Sequence, residues 1–268
     1  MELSGIGLFG GKACTVRLRR VPGPSGFEWQ PEGARGALSF VPLSELSAEA
    51  SLLSTRVSRG TFRLQTVEHC FAALAAFGAY EGLRLEVSGT EMPLLDGTAR
   101  LWSQALVDLG FSPSPPPFRI DAPFDYEVGG SRYSFRPSDR VKVTCALRTD
   151  DLRLATEASW SGDALDFHER IAGARTFAFA RDLENYARLG ASAHVDPSNV
   201  IVVGDTIHCA GRPFEPDEPV RHKLLDLIGD MFAHGGPPIG DVHVIAPGHS
   251  RTHAALDFGK ATAKIRKR

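Results

Sequence analysis

Ser112-Pro113-Ser114-Pro115-Pro116-Pro117 interrupts the chain. Proline lacks the backbone N–H and clashes with the preceding turn, so this run cannot continue a helix or pair as a central strand. We read it as a linker between two halves of similar size. Before it, strand-like segments Cys14–Leu18 and Ala37–Phe40 precede a helix over Val67–Phe77 closed by Gly78. A strand at Leu83–Val87 and a helix over Ala99–Leu109, closed by Gly110, complete that half. Glycine after the last periodic residue is the usual helix stop. The second half repeats the order: segments Arg132–Phe135 and Val141–Leu147, a helix near Arg181–Leu189 ending at Gly190, an apolar strand Val200–Val203, and a helix over Pro219–Ala233. Strands first and helices later predict α+β layers in both halves. The expected domains are 1–112 and 118–268. No internal repeat is visible in the residues themselves.

The 268 residues are long for one compact domain and comfortable for two. A net charge of −2 gives no bulk field for polyanions, so nucleic acid is not an expected partner. Cys14, Cys70, Cys145 and Cys209 form no C-x-x-C pair and read as free thiols of a reducing compartment. With no signal-peptide pattern and no bilayer-length apolar run, we expect a cytoplasmic protein without stable membrane insertion; a monomer is a separate expectation. The basic end, Lys260 to Arg268, reads as a solvated, frayed tail.

Gly5-Ile6-Gly7-Leu8-Phe9-Gly10 matches G-x-G-x-x-G, but a dinucleotide site needs a strand before it and a helix after it. Only four residues precede the motif and a strand follows, so it reads as an opening turn. His222 and Asp226, four apart on a predicted helix, share a face at the spacing of two ligands for one metal, and Asp230 continues the stripe. Alone, the pair reads first as the solvated face of an amphipathic helix. Glu68-His69 opens an apolar helix with Thr66 as candidate N-cap. His69, His222 and Asp226 together would leave a coordination position open for water, as catalytic sites do. His249 sits in a predicted turn, Pro247-Gly248-His249-Ser250. The remaining histidines, among them His234 and His253, read as surface or structural residues.

At these residues the sequence resembles the UDP-3-O-acyl-N-acetylglucosamine deacetylases of Gram-negative bacteria. The resemblance spans nearly the whole chain: Gly5-Ile6-Gly7-Leu8, Thr66-Val67-Glu68-His69, Pro93-Leu94-Leu95-Asp96-Gly97-Thr98-Ala99, Ala174-Arg175-Thr176-Phe177, the run Val220 to Asp230, and Gly248-His249. It implies two similar layered α+β domains, sheets outside and helices sandwiched between them, with the active site where they meet. It implies zinc, or ferrous iron, on His69, His222 and Asp226, since two histidines and an aspartate suit either. Glu68 would be the general base, His249 a cationic partner oriented and charged by Asp230, and Thr176 a donor to the acetyl carbonyl. Lys223 and Phe177 would meet the substrate, an acylated UDP-sugar whose deacetylation leads to lipid A.

Two departures stand out. The family usually carries histidine where this chain has Phe9. Its Gly-rich stretch appears here as Ala193-His194-Val195-Asp196-Pro197-Ser198-Asn199-Val200, in a region that helps to form the acyl passage. Phe9 favours a second reading, a non-catalytic binder of the acylated UDP-sugar. The altered stretch favours a third, a zinc hydrolase of another N-acyl sugar. The intact Glu68 and His249 argue for catalysis.

Overall fold

The computed structural model describes residues 1–30, 38–51, 53–111, 113–188 and 199–268. Two five-stranded sheets organise it. In the first, Glu2–Ile6, Ala13–Pro24, Glu81–Val87, Gly26–Trp29 and Ser39–Pro42 lie side by side in that order. In the second the order is Phe124–Val128, Ser131–Arg136, Gly240–Ile245, Val141–Ala146 and Glu157–Trp160. Both sheets pair antiparallel, antiparallel, parallel, antiparallel from first strand to last. In each, the strand latest in sequence is inserted at the centre. The α+β class is as expected, and the repeat that the residues conceal is plain in the topology.

A parallel pair needs a long crossover, and each half supplies one ending in a helix. Six α-helices occur among the described residues: α1 (Glu68–Ala76), α2 (Arg100–Asp108), α3 (Ala164–Asp166), α4 (Leu183–Arg188), α5 (Glu218–Ala233) and α6 (His249–Ala261). Helices α1 and α5 lead into the two central strands; α2 and α6 follow them. Every residue of α1 is buried, and so is every residue of α5 except Lys223. Phe71 of α1 stacks on Phe27 of the first sheet and meets Phe232 of α5 edge-on. Glycine lets the two helices touch: a Cβ on Gly229 would lie 2.0 Å from the carbonyl oxygen of Glu68. A single apolar core runs through both sheets and these helices.

Both halves carry an insertion at the same point, between the fourth strand and the crossover helix. In the first half it is a small sheet, Ser47–Ser51, Ser54–Arg59 and Phe62–Gln65. In the second it includes Thr176–Phe179, Val200–Val203 and Ile207–His208.

Several expectations change. Thr66 does not cap α1: its φ is +59°, its hydroxyl donates to Glu91 Oε1 at 3.3 Å, and Val67 occupies the cap position. The opening residues are not merely a turn, because Glu2–Ile6 pairs with Ala13–Arg17. Glu91 accepts from the amides of Phe9 and Gly10 and fixes the turn that follows. The basic end is not a frayed tail. Lys260 lies in the last turn of α6, and Ile265–Lys267 pairs with Phe118–Ile120 with Ile265 buried. Residues 193–198 of the altered segment, with Leu189 and Gly190 at the end of the helix expected near Arg181–Leu189, lie outside the described residues; Leu183–Arg188 of that helix is α4. All four cysteines are free, three of them buried.

Candidate active site

Helix α5 reads E-P-V-R-H-K-L-L-D-L-I-G-D, with proline in its first turn, where the missing N–H costs nothing. Its 3.6-residue period stacks His222, Asp226 and Asp230 on one face. That face is not solvated: the three are 2 %, 7 % and 1 % exposed. Because α1 presses on α5 at Gly229, the start of α1 brings Glu68 and His69 against this stripe.

His69 Nε2 and His222 Nε2 lie 3.6 and 3.5 Å from Asp226 Oδ1, with the imidazole planes at 90°. The ligating atoms of all three residues fall within 4.8 Å of one another. His222 Nδ1–H donates to the Ala174 carbonyl at 3.0 Å, so the lone pair of Nε2 faces the cluster. Burial lowers the His222 pKa to about 4, despite the charge of Asp226, and keeps the imidazole neutral as a metal ligand must be. Burial opposes ionisation of Asp226, but the Lys223 ammonium, donating to Oδ2 at 2.9 Å, and His222 hold the carboxyl well below its usual range. Two imidazoles and an ionised carboxylate so placed fit a divalent transition metal with a position left open.

Glu68 is 4 % exposed, and Oε2 accepts from the Thr55 amide at 3.0 Å. Burial raises its pKa, against the charges of His249 and His69. His249 is not in a turn but is the first residue of α6, with Gly248 at the cap. Its Nδ1–H donates to Asp230 Oδ1 at 2.9 Å. Burial alone would depress the imidazole, and a helix N-terminus disfavours a cation. The charge and hydrogen bond of Asp230, with Glu68 and Asp226 behind it, outweigh burial and bring the pKa up to about 9. His249 is therefore a cation at neutral pH.

A cavity of about 890 Å³ opens on these groups. Glu68, His69, Thr176, His222, Asp226 and His249 form its polar wall, and Leu183, Tyr186, Val200, Val202 and Ile207 its apolar wall. Strand alternation sends Ile201 and Val203 into a core cluster with Leu154, which leaves Val200 and Val202 for the cavity. Phe177 stands edge-on to His222 with its ring 5.7 Å from Lys223 Nζ. Leu8 lines the cavity and Phe9 does not, the Phe9 amide being held by Glu91.

The structure thus gathers every candidate residue and adds others. Buried Arg175 and Glu218 form a bidentate pair, and the Arg175 amide also donates to Glu218. The pair ties the strand bearing Thr176 to α5, one turn ahead of His222. Behind Asp230, Thr55 Oγ1–H donates to Oδ1 at 2.6 Å, His253 Nε2 lies 3.0 Å from Thr55 Oγ1, and His234 Nε2 lies 2.8 Å from His253 Nδ1. His253 is 5 % exposed, not a surface residue.

The sequence profile described as UDP-3-O-acyl N-acetylglycosamine deacetylase matches residues 1–258. Among similar proteins, the UDP-3-O-acyl-N-acetylglucosamine deacetylase of Myxococcus xanthus (strain DK1622) is 33 % identical over 262 residues, covering 94 % of this chain and 81 % of the relative. The protein of the same name from Anaeromyxobacter dehalogenans (strain 2CP-C) is 32 % identical, with 96 % and 83 % covered. That from Phenylobacterium zucineum (strain HLK1) is 29 % identical, with 94 % and 88 % covered.

Proposed function

Because the chain belongs to the UDP-3-O-acyl N-acetylglycosamine deacetylase family, we propose that it hydrolyses the N-acetyl group of UDP-3-O-acyl-N-acetylglucosamine, releasing acetate on the way to lipid A. The observation that carries this is the convergence of three metal-type donors, a buried carboxylate and a histidine cation on one cavity with an apolar wall. His69, Asp226 and His222 are read as ligands of zinc or ferrous iron. Such an ion supplies a Lewis acid for the acetyl carbonyl and acidifies the water it binds. The domains are read as 1–112 and 118–268, a division supported by the two sheets of equal topology. No helix among the described residues is long and apolar enough to cross a membrane, so the substrate is taken to come to the enzyme.

Glu68 accepts the proton of the attacking water as its oxygen bonds to the acetyl carbon. The oxygen that was the carbonyl gains negative charge, and the Thr176 hydroxyl and the His249 cation face it. As the C–N bond breaks, His249 gives the departing nitrogen its proton. Lys223 and Phe177 contact the substrate beside the reacting centre. Asp230 is a positioning residue that holds His249 charged.

Acetate release tests this against the other two readings. The acylated UDP-sugar should be cleaved with a kcat/KM far above that of UDP-N-acetylglucosamine. Each buried methylene contributes about 0.8 kcal/mol, so five in the apolar wall give about 4 kcal/mol, near a thousandfold. No acetate from either substrate would leave the non-catalytic binder. Equal values for the two would remove the acyl passage and favour another N-acyl sugar.

The pH dependence follows from His249. Its cation is present below a pKa of about 9 and is lost above it, so kcat/KM should fall as pH rises through about 9. The acid limb should come from groups that must lose a proton, giving a bell. His249→Ala should keep the fold and the metal, lower the maximum by roughly 10²–10⁴, and abolish the basic limb. A basic limb that survives this substitution would remove His249 from the reaction.

A further inference from the structure

His234 and His253 lie beyond the groups used above, yet His253 is buried, the His234 side chain is only 8 % exposed, and both are in line with them. The donor inventory fixes the direction of every bond in the line. An ionised carboxylate only accepts, so Thr55 donates its one proton to Asp230 at 2.6 Å. The Thr55 oxygen can then only accept from His253, whose proton sits on Nε2. Neutral His253 has a bare Nδ1, so the contact of 2.8 Å requires a proton on His234 Nε2. The far nitrogen of His234, Nδ1, lies 3.4 Å from Oδ1 of the exposed Asp257. Both rings are neutral at pH 7: burial, with unfavourable charge pairing against His253 were both protonated and against Lys260, pushes His234 down to about 3, and burial lowers His253. All the N–H and O–H dipoles therefore point toward Asp230.

We propose that His253 and His234 are positioning residues of the hydrolysis: through Thr55 they stabilise Asp230 as a carboxylate once His249 has given up its proton, and so make His249 a stronger acid. This rests on the reading of His249 as the proton donor. While His249 is charged, Asp230 has a cation beside it. After the transfer it is a buried carboxylate held only by donors, and polarised donors in series count for most there. The relay therefore favours the discharged state more than the charged one. Asp230 alone would make His249 a strongly held cation and a reluctant acid. The other charged or titratable groups facing this set are Glu68 and Asp226 on His249, Tyr133 on Asp230, Asp257 on His253, and Lys260 on His234. They stay in place in the variants below.

The test uses the full chain with its metal, labelled with 15N-histidine. At pH 7 the wild-type spectrum should show His253 and His234 neutral with the proton on Nε2; a proton on Nδ1 of His253 overturns the proposal without any variant. In His253→Leu the titration of His249 and the basic limb of kcat should both move up by about half to one pH unit, with kcat down roughly three- to tenfold and KM unchanged. His253→Gln keeps an N–H donor for Thr55 and should restore both. A His249 titration that does not move in His253→Leu, or one that moves as far in His253→Gln, overturns the proposal. If His249→Ala leaves the wild-type basic limb intact, the proton-donor reading itself has failed, a result distinct from an immobile limb in His253→Leu.

Discussion

Glu68→Gln is expected to keep the fold and the metal while lowering kcat by roughly 10²–10⁴, the usual worth of a general base. The substitution is nearly isosteric, and the amide oxygen can still accept from the Thr55 amide, as Oε2 does at 3.0 Å. It cannot take a proton from water. Burial raises the Glu68 pKa, which makes its carboxylate more basic than an exposed one, and the His249 and His69 charges limit that rise. Glu68 also opens α1, where a negative side chain gains about 0.3–1 kcal/mol from the helix dipole. If that were its whole role, the variant would melt slightly earlier and turn over normally. Acetate release at saturating substrate, read beside metal content and melting temperature, separates the two. Normal turnover in a metal-replete variant would end the proposed mechanism.

The second large effect is expected at His222. His222→Ala should take metal content from one ion per chain to almost none and remove measurable turnover, where Glu68→Gln leaves the metal in place. Only two of the three donors would remain, and the Nδ1–H that satisfies the Ala174 carbonyl would vanish with the ring. An unpaired buried carbonyl costs about 1–3 kcal/mol, so some loss of stability should accompany the loss of metal. Elemental analysis of the purified variant is the measurement. A full complement of metal without His222 would show that the ion sits elsewhere.

How far the residues announce this site depends on whether its geometry is local. His222, Asp226 and Asp230 are legible because a helix fixes which side chains share a face, and the apolar positions of α5 show the helix. Thr66 misleads because the preference for a threonine cap is local, whereas its left-handed backbone stands beside a contact with Glu91, 25 residues away, that no local pattern encodes. Helix α6 escapes notice because Gly259 interrupts its pattern; that glycine is there so that Phe124 and Ile265 can pack at closest approach. Once α6 is known, His249 and His253 are four apart on one face. His234 joins them from the end of α5, which no periodicity could reveal. The repeated sheet is hidden for a different reason: a strand order can persist while only alternation, not residue identity, is needed to keep it.

The contact at Gly229 also says when this site comes into being. His222 and Asp226 are neighbours as soon as α5 coils, within one turn of a single segment. His69 arrives from about 150 residues earlier in the chain, and only when the backbone of α1 lies against a glycine that offers no side chain to hold it off. The third donor therefore reports a long-range contact, the slow kind to form in folding. An ion that meets the chain early finds a weak bidentate helix; one that meets it late finds the complete set. Tight capture becomes a signature of the finished fold. An ion held by these three residues would act as a latch across the seam between the two sheets, fastening in place the contact that made its site.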